Sequence, residues 1–473
     1  MRPRSLLILA LVVGVLLALI YYAEDRVAGT DERAAAARRL VGATPEEIVA
    51  LDFEWQGSRV RLERAAKSPE STGELPGARP WRIVEPFVHP ADEAAVARLL
   101  AGLAGLEAVR VLDGVARRDV GLEPPRGSVS WTTATAAGKL EVGGSVPATE
   151  DVVVAASGRV APAVTSGAFV DEISRPAGEW RSRMVVAAAR DRIERVAISP
   201  VAGESVVLAR SGETLRLESP VSDLAERDLA DRLLADLLAL RIETFLDPPL
   251  AVEAEAALSG RAAAQGALGT IEVTIRGESA PLRIEIGAER APGRRVWRAG
   301  GQAFESVSTL GDLLARPASE WRSRNWTRFE NWRIEKARFE DPAGAFELAR
   351  RDGEWLRDGK RIPFTAASDL LAALTAARAE RLAELPAAAA GAAPPVAPRL
   401  TVTISDADGN EELLTLYESR DPAAAVVPAR TRGREVEILL ARDLVTELEQ
   451  KVAAVRAAEP VAEEAPAPAP PAI

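Results

Sequence analysis

Few side chains in this sequence are of a type and spacing that could do chemistry. His89 is the single histidine, and because imidazole titrates near neutral pH it could act as a general base. It stands between Val88 and Pro90, just ahead of a predicted helix, and this setting favours a loop residue over a catalytic one. A single histidine also excludes every metal site built from several histidines.

The best candidate for a metal site is the acidic segment from Asp406 to Glu412, because closely spaced oxygen donors suit calcium. Its glycine falls one residue early for an EF-hand loop. Asp408-Gly409 is also a dipeptide that is favoured in hairpin turns for its backbone geometry. The segment is therefore interpreted as a hairpin turn, with a weak calcium site as the alternative.

A pair of carboxylates could act as the acid and base of a glycosidase, although such pairs meet only in the fold. Glu179 and Glu320, each beside a tryptophan of a repeated segment, are the candidate pair. Their occurrence in two copies favours a structural salt bridge to Arg181 or Arg322 over catalysis. Since the sequence has no Gly-x-Ser-x-Gly elbow, phosphate-binding loop or dinucleotide fingerprint, it predicts no catalytic, cofactor-binding or metal-ligating residue.

The repeated segment shows how the chain is organised. Arg175 to Met184 recurs as Arg316 to Asn325, an offset of 141 positions, which indicates a duplicated domain. Alternating apolar positions typical of a half-buried strand follow each copy: Ile193, Val196 and Ile198, and then Ile334, Ala337 and Phe339. A similar strand from Glu47 to Phe53 indicates a third copy. We therefore predict three repeats, at residues 46–183, 184–324 and 325–456.

Aromatic residues cluster where the second predicted repeat meets the third. Trp321, Trp326 and Trp332 lie there, and Trp180 occupies the matching position one repeat earlier. Such a cluster could form a platform for sugars or peptides. Because large rings bury much area and an indole N–H can bond a nearby carbonyl, packing of one domain against the next is the favoured interpretation.

Each repeat also carries two predicted amphipathic helices between its strands. The first helices contain the leucine pairs Leu99-Leu100, Leu233-Leu234 and Leu370-Leu371, and the second contain Phe169 and Ile173, Leu310 and Leu314, and Leu444 and Leu448. Strands are predicted to end at Pro86, Pro220 and Pro363, and hairpin turns to lie at Ala137-Gly138, Arg276-Gly277 and Asp408-Gly409. Strand runs interrupted by helices predict an α+β class with mainly antiparallel sheets.

The ends of the chain predict a membrane tether and a spacer. Residues 6–22 carry no charge and follow Arg2 and Arg4, which predicts a transmembrane signal anchor with residues 1–5 in the cytoplasm. A cleaved signal peptide is the alternative. Residues 23–45 are then a juxtamembrane linker, and the Ala/Pro-rich residues 457–473 are predicted to be disordered. We expect a single-pass membrane protein whose repeats lie outside the cytoplasm.

The amino-acid composition excludes several kinds of site and binding partner. The chain has no cysteine, which excludes disulfides, lipoprotein acylation, thiolate metal sites and a thiol nucleophile. A net charge of −11 argues against general binding to nucleic acid or to an anionic bilayer.

Three local motifs resemble a bacterial family of unknown function. These motifs are Trp81 to Pro86, Ala91 to Leu100, and Gly121-Leu-Glu-Pro-Pro-Arg126. They resemble the family catalogued as domain of unknown function 4340, and the resemblance extends over residues 46–456. It implies an anchored extracytoplasmic partner of gliding-motility-type ABC exporter systems, and it brings no active site with it.

These features together predict a non-enzymatic, membrane-anchored accessory or scaffold protein with a protein partner such as an ABC permease complex and no cofactor. An envelope hydrolase that acts on glycan or peptide through carboxylates is the first alternative. A ligand-binding module with one large apolar pocket is the second.

Overall fold

A computed structural model of the protein describes residues 38–65, 81–147, 149–248, 258, 268–385, 397–419, 421 and 423–461. The predicted cytoplasmic residues 1–5 and anchor 6–22 lie outside these ranges, as do most of the predicted linker and residues 462–473 of the predicted tail. Among the described residues, no helix is long and apolar enough to cross a membrane.

The chain forms two compact units, Met1–Arg183 and Met184–Ile473. The described part of the first unit contains one nine-stranded sheet. Its strands are β1 (Ile48–Trp55), β2 (Ser58–Arg64), β3 (Trp81–Glu85), β4 (His89–Pro90), β5 (Arg110–Val111), β6 (Gly127–Thr133), β7 (Ala137–Ser145), β8 (Asp151–Ala156) and β9 (Ala163–Ser166). Its helices are α1 (Glu93–Ala104) and α2 (Ala168–Ile173).

The sheet of the first unit is two meanders joined edge to edge. The strand order is β4-β3-β2-β1-β6-β7-β8-β9-β5, and each neighbouring pair is antiparallel. Because β4 and β5 lie at opposite edges, α1, which connects them, must cross one face of the sheet. The Asp92 side chain caps this helix by accepting hydrogen bonds from the N–H groups of Ala94 (2.9 Å) and Ala95 (3.2 Å).

The core of the first unit lies between α1 and the covered face of the sheet. Alternate residues of β1 point into it, and Leu51 and Phe53 are buried. The predicted stripe of α1 is buried at Val96, Leu99 and Leu100. Each such aliphatic side chain contributes roughly 1.5–3 kcal/mol when it leaves water, so the amphipathic pattern accounts for the docking of the helix.

The described part of the second unit contains two further nine-stranded sheets with the same topology, β13-β12-β11-β10-β15-β16-β17-β18-β14 and β22-β21-β20-β19-β24-β25-β26-β27-β23. The strands of the second sheet are β10 (Ile193–Pro200), β11 (Val206–Ser211), β12 (Thr214–Ser219), β13 (Asp223–Leu224), β14 (Thr244–Phe245), β15 (Gly269–Ile275), β16 (Leu282–Ala291), β17 (Arg294–Ala299) and β18 (Gln302–Val307). Those of the third sheet are β19 (Lys336–Asp341), β20 (Gly344–Arg351), β21 (Glu354–Arg357), β22 (Lys360–Arg361), β23 (Ala379–Glu384), β24 (Pro398–Ser405), β25 (Glu411–Tyr417), β26 (Val426–Thr431) and β27 (Val436–Ala441).

Each of these sheets also carries two helices. The second sheet has α3 (Arg227–Ala239) and α4 (Leu310–Leu314), and the third has α5 (Phe364–Thr375) and α6 (Arg442–Ala457). Their leucine pairs are buried in two separate cores, one for each sheet. The predicted α+β class with mainly antiparallel sheets is therefore confirmed for the described residues.

One predicted turn and one predicted strand end were wrong. Ala137 and Gly138 begin β7 rather than forming the turn, and the turn before them is closed by a hydrogen bond from the Thr133 N–H to the Ala136 carbonyl (2.8 Å). Pro363 does not end a strand, because β22 ends at Arg361 and Pro363 directly precedes α5. Proline suits that position, since a helix start needs no N–H from it.

Candidate functional site

His89 lies in a short edge strand and not in the predicted loop. It belongs to β4 and pairs with Ile83 of β3. Its Nδ1 donates a hydrogen bond to the carbonyl oxygen of Pro90 (2.8 Å). The structure therefore places this imidazole against the backbone of its own strand.

The predicted carboxylate pair lies on two separate turns. Glu179 and Glu320 are both exposed, on the 3-10 turns Ala177–Trp180 and Ala318–Trp321. Glu320 forms its ion pair with Arg316 (2.6 Å). The predicted salt bridge between Glu320 and Arg322 was wrong, because the Arg322 guanidinium reaches a buried carboxylate elsewhere.

The segment from Asp406 to Glu412 forms the predicted hairpin turn between β24 and β25. The Asp406 carboxylate accepts hydrogen bonds from the N–H groups of Asp408 (3.1 Å) and Asn410 (2.9 Å) and from the Asn410 side chain (2.9 Å). The hydrogen bond from the Asn410 side chain is the main cause that holds the pKa of Asp406 below its ordinary value. This carboxylate is thus engaged by the turn that it helps to form.

The tryptophans divide into packing residues and one exposed residue. Trp180, Trp321 and Trp326 are completely buried, which confirms packing. Trp321 lies in the core of the second sheet and Trp326 in that of the third, so within this unit they fill separate cores instead of joining two domains. Trp332 differs, since 70% of it is exposed.

A buried ion cluster joins the two sheets of the second unit. Asp223, at the start of β13, has a fully buried side chain, and Arg434, in the turn between β26 and β27, is 2% exposed. Arg434 holds the carboxylate with two hydrogen bonds, from Nε (2.7 Å) and Nη2 (3.0 Å). Arg322 adds a third bond from Nε (2.5 Å). Such bidentate pairing fixes geometry as well as charge.

The chain segment between the two sheets completes this cluster. Arg434 also donates to the carbonyl oxygens of Ser323 (2.8 Å) and Asn325 (2.7 Å). Arg322 pairs with Ala225 and Asn325 with Arg378 in isolated antiparallel bridges. We call Asp223, Arg434 and residues 322–325 together the joint. Its hydrogen bonds tie the second sheet, the connecting segment and the third sheet to one another.

Electrostatics keep the joint charged. Burial is the largest influence on Asp223 and by itself would raise its pKa. The hydrogen bonds and charges of Arg434 and Arg322 outweigh burial, so the pKa of Asp223 lies below its ordinary value of 3.8. At neutral pH the joint therefore holds an ionised carboxylate between two guanidinium groups.

A second buried carboxylate lies close to the joint. Glu412 is 7% exposed and accepts hydrogen bonds from the Thr327 hydroxyl and from the N–H of Arg328 (3.1 Å). Burial, the largest influence, raises its pKa above the ordinary value of 4.5. Glu412 thereby fixes the backbone that enters the third sheet.

A groove lies beside the joint on the second unit. It consists of two adjoining cavities of about 420 Å³ and 400 Å³. The cavities share the lining residues Thr214, Arg216, Leu224, Arg328 and Phe329. We call the space inside both cavities the joint groove and these five shared residues its neck. Its walls come from β12 and β13 on one side and from the chain entering the third sheet on the other.

Sequence reasoning missed the residues of the joint. Asp223 and Arg434 are 211 positions apart, and neither stands in a motif that predicts a buried ion pair. Arg322 belongs to the repeated segment and was the one residue of the joint that the sequence indicated. The sequence, however, predicted a local carboxylate, Glu320, as its partner.

One comparison with known proteins identifies part of the chain. Residues 81–259 match the family model described as "Domain of unknown function (DUF4340)". The matched stretch belongs to the DUF4340 family. The predicted assignment is thus confirmed, over a shorter stretch than the resemblance suggested. Neither the curated proteins nor the solved structures include a match to this chain.

The DUF4340 segment includes only one side of the joint groove. It begins at β3 and ends after β14. It therefore contains Asp223 and the neck residue Arg216, whereas Phe329 and Arg434 lie outside it. The family match itself assigns no function to either side.

Proposed function

We propose that the protein is a non-enzymatic, membrane-anchored extracytoplasmic accessory or scaffold protein of an ABC-type transporter or envelope assembly. In this proposal residues 6–22 anchor it in a bacterial inner membrane, with the N-terminus in the cytoplasm and the sheets outside. The uncharged segment after Arg2 and Arg4 supports the anchor. The transporter association rests on the family resemblance alone.

The joint is the observation that carries the scaffold role. A scaffold must hold its partner in a fixed position, which requires that neighbouring domains do not move freely. Between the second and third sheets, the buried Asp223 carboxylate is held by two arginines, and Arg434 also binds the connecting backbone. Breaking the Asp223–Arg434 pair would leave a buried guanidinium without its carboxylate partner, which is strongly unfavourable.

The predicted carboxylates give the hydrolase alternative no support. Glu179 and Glu320 are exposed, and Glu320 is paired with Arg316. A glycosidase needs two carboxyl groups that flank one substrate bond.

Affinity capture from detergent-solubilised membranes tests this proposal. The full-length protein carries a tag after Ile473, and the captured proteins are identified by mass spectrometry. We expect an ABC permease or ATPase to be recovered. A control variant in which residues 6–22 are replaced by an unrelated anchor of equal length shows whether the membrane helix or the outer domains make the contact.

Two results would contradict the proposal. If the protein is captured without any transporter or envelope component, the proposed accessory role is contradicted. Robust turnover of an envelope glycan or peptide by the purified protein would establish an enzyme instead.

A further inference from the structure

The neck of the joint groove contains an arginine whose charge is not compensated. Arg216 lies on β12, is partly exposed and lines both cavities. In the part of the chain that the structure describes, no carboxylate lies within ion-pair distance of its guanidinium. An arginine in a groove has five N–H donors in a planar fork, a geometry that matches a carboxylate or a phosphate.

A second arginine in the neck, Arg328, has no close carboxylate among the described residues, and its Nη2 donates a long hydrogen bond to the Glu411 carbonyl oxygen (3.3 Å). The Nε of Arg328 is 3.9 Å from the Glu412 carboxylate, and its side chain is 48% exposed. Its guanidinium carbon lies 5.5 Å from the centre of the Phe329 ring. The neck thus offers two cationic groups beside the partly exposed side chain of Leu224 and the edge of Phe329, which is 7% exposed.

The two ends of the groove differ from the neck, because their arginines are paired. At one end Arg378 bonds Glu226 (3.0 Å) and Arg227 bonds Glu330. At the other end Arg333 is 3.2 Å from Asp408 and 3.7 Å from Glu213. Uncompensated positive charge is therefore confined to the neck. A ligand that matches this pattern carries its negative charge near its middle.

An exposed tryptophan, Trp332, lies in the chain segment that lines the groove. Trp332 lies between Asn331, which lines the first cavity, and Arg333, which lines the second. Tryptophan and arginine are the residues that most often dominate the binding energy of protein interfaces. The guanidinium carbon of Arg333 lies 5.9 Å from the centre of the Trp332 ring, so a peptide that extends along Arg333 beyond the second cavity can contact the indole, whereas a small anion fills only the neck.

We propose that the joint groove binds an extended segment of a partner protein, with an Asp or Glu side chain of that segment between Arg216 and Arg328. A neighbouring apolar side chain of the segment packs on Phe329 and Leu224, and the chain continues across Trp332. This inference rests on the proposed scaffold function and names the chemistry of the partner that the groove holds.

A random nonapeptide library displayed on phage, selected on the purified protein, tests the groove. We expect enrichment of sequences with one central acidic residue next to an apolar residue. A fluorescein-labelled copy of the most enriched peptide then gives a dissociation constant by fluorescence anisotropy. We expect binding to weaken about tenfold or more when the acidic residue of the peptide is replaced by its amide. The protein variants Arg216→Gln and Trp332→Ala are expected to weaken it by a similar factor.

Matched controls separate the groove from general surface effects. Arg338→Gln removes an exposed arginine on β19, outside the groove, and Phe364→Ala removes an aromatic residue that is 51% exposed at the start of α5. Both are expected to bind the peptide like the unaltered protein. Circular dichroism melting of each variant verifies that it is folded.

The proposal is overturned if no acidic sequence is enriched, or if Arg216→Gln and Trp332→Ala bind the enriched peptide like the controls. It is also overturned if N-acetylglutamate displaces the peptide at an equal concentration, because the site would then belong to a small anion. If the transporter is captured but no peptide binds, only the inference about the groove is contradicted. Peptide binding that succeeds while transporter capture fails leaves the groove in place and removes the transporter association.

Discussion

At the scale of single residues, two tryptophans buried in the core of the second sheet differ in their hydrogen bonding. Trp297 and Trp321 are both completely buried in the same core. The Nε1 of Trp297 donates to the Ser306 carbonyl (3.1 Å), whereas the Nε1 of Trp321 has no partner among the described residues. The sequence predicted packing for Trp321 and made no prediction for Trp297, and hydrogen-bond partners depend on backbone positions that no local pattern specifies.

This difference predicts unequal costs for the same substitution. Both Trp297→Phe and Trp321→Phe remove ring volume, but only the first also removes a hydrogen bond and leaves a buried carbonyl with one bond fewer. We expect Trp297→Phe to lower the free energy of unfolding by about 1 kcal/mol more than Trp321→Phe. Urea denaturation of both variants measures the difference, and equal losses would mean that the indole hydrogen bond contributes no net stability.

Glu412 gives a pH-dependent prediction at the same scale. Because burial raises its pKa above 4.5, the folded state binds the proton more tightly than the unfolded state. The stabilisation that comes from binding this proton is present below pH 4.5. It is lost as the pH rises through the pKa that Glu412 has in the folded state. Glu412→Gln keeps an acceptor for Thr327 and Arg328 without this loss. We therefore expect the melting temperature of Glu412→Gln minus that of the unaltered protein to increase between pH 4.5 and pH 7.

Calorimetry over this pH range measures the effect, and Glu411→Gln is the control, since Glu411 is the exposed neighbour on the same strand. Asp223 contributes with the opposite sign, but it is present in all these proteins and cancels in the comparison. Melting curves of Glu412→Gln that stay parallel to those of the unaltered protein would contradict the prediction.

At the scale of elements, periodicity was sufficient for strands and helices but not for turn positions. The two-residue alternation and the leucine stripes matched the buried faces of β10, β19, α1, α3 and α5. Ala137-Gly138 failed because Gly138 has another role: a Cβ there would lie 2.2 Å from the Trp131 ring. The glycine makes room for a ring on the neighbouring strand, so a cross-strand contact accounts for it and a turn does not.

At the scale of the whole molecule, the sequence predicted repetition and α+β architecture, but it could not predict how the second unit is held together. Repeated domains can be recognised in a sequence because similar residues recur at a fixed offset. The joint has no such signature, because Arg434 stands in a turn between β26 and β27, whereas the corresponding strands β17 and β18 are separated by Gly300 and Gly301 alone. A contact made once, between residues 211 positions apart, can be recognised only in the folded chain.

The joint predicts how the second unit responds to the loss of one carboxylate. Asp223→Asn leaves the buried Arg434 guanidinium without a carboxylate, while Arg322 keeps its ion pair with Glu384. We expect the free energy of unfolding to fall by about 3–5 kcal/mol. Asp231→Asn is the control, because its ion pair with Arg190 is about half exposed and should contribute at most about 1 kcal/mol. Urea denaturation gives both values, and similar losses would show that the joint does not stabilise the unit.

The pH dependence of the same group provides an independent measurement. Because the pKa of Asp223 is lowered from 3.8, the folded state binds this proton less tightly than the unfolded state does. Its contribution is therefore present above pH 3.8 and is lost as the pH falls through the folded-state value. The stability difference between the unaltered protein and Asp223→Asn should consequently shrink in acid. Since an uncharged packing defect would persist at every pH, a difference that stays constant down to pH 2 would show that charge pairing is not what holds the two sheets together.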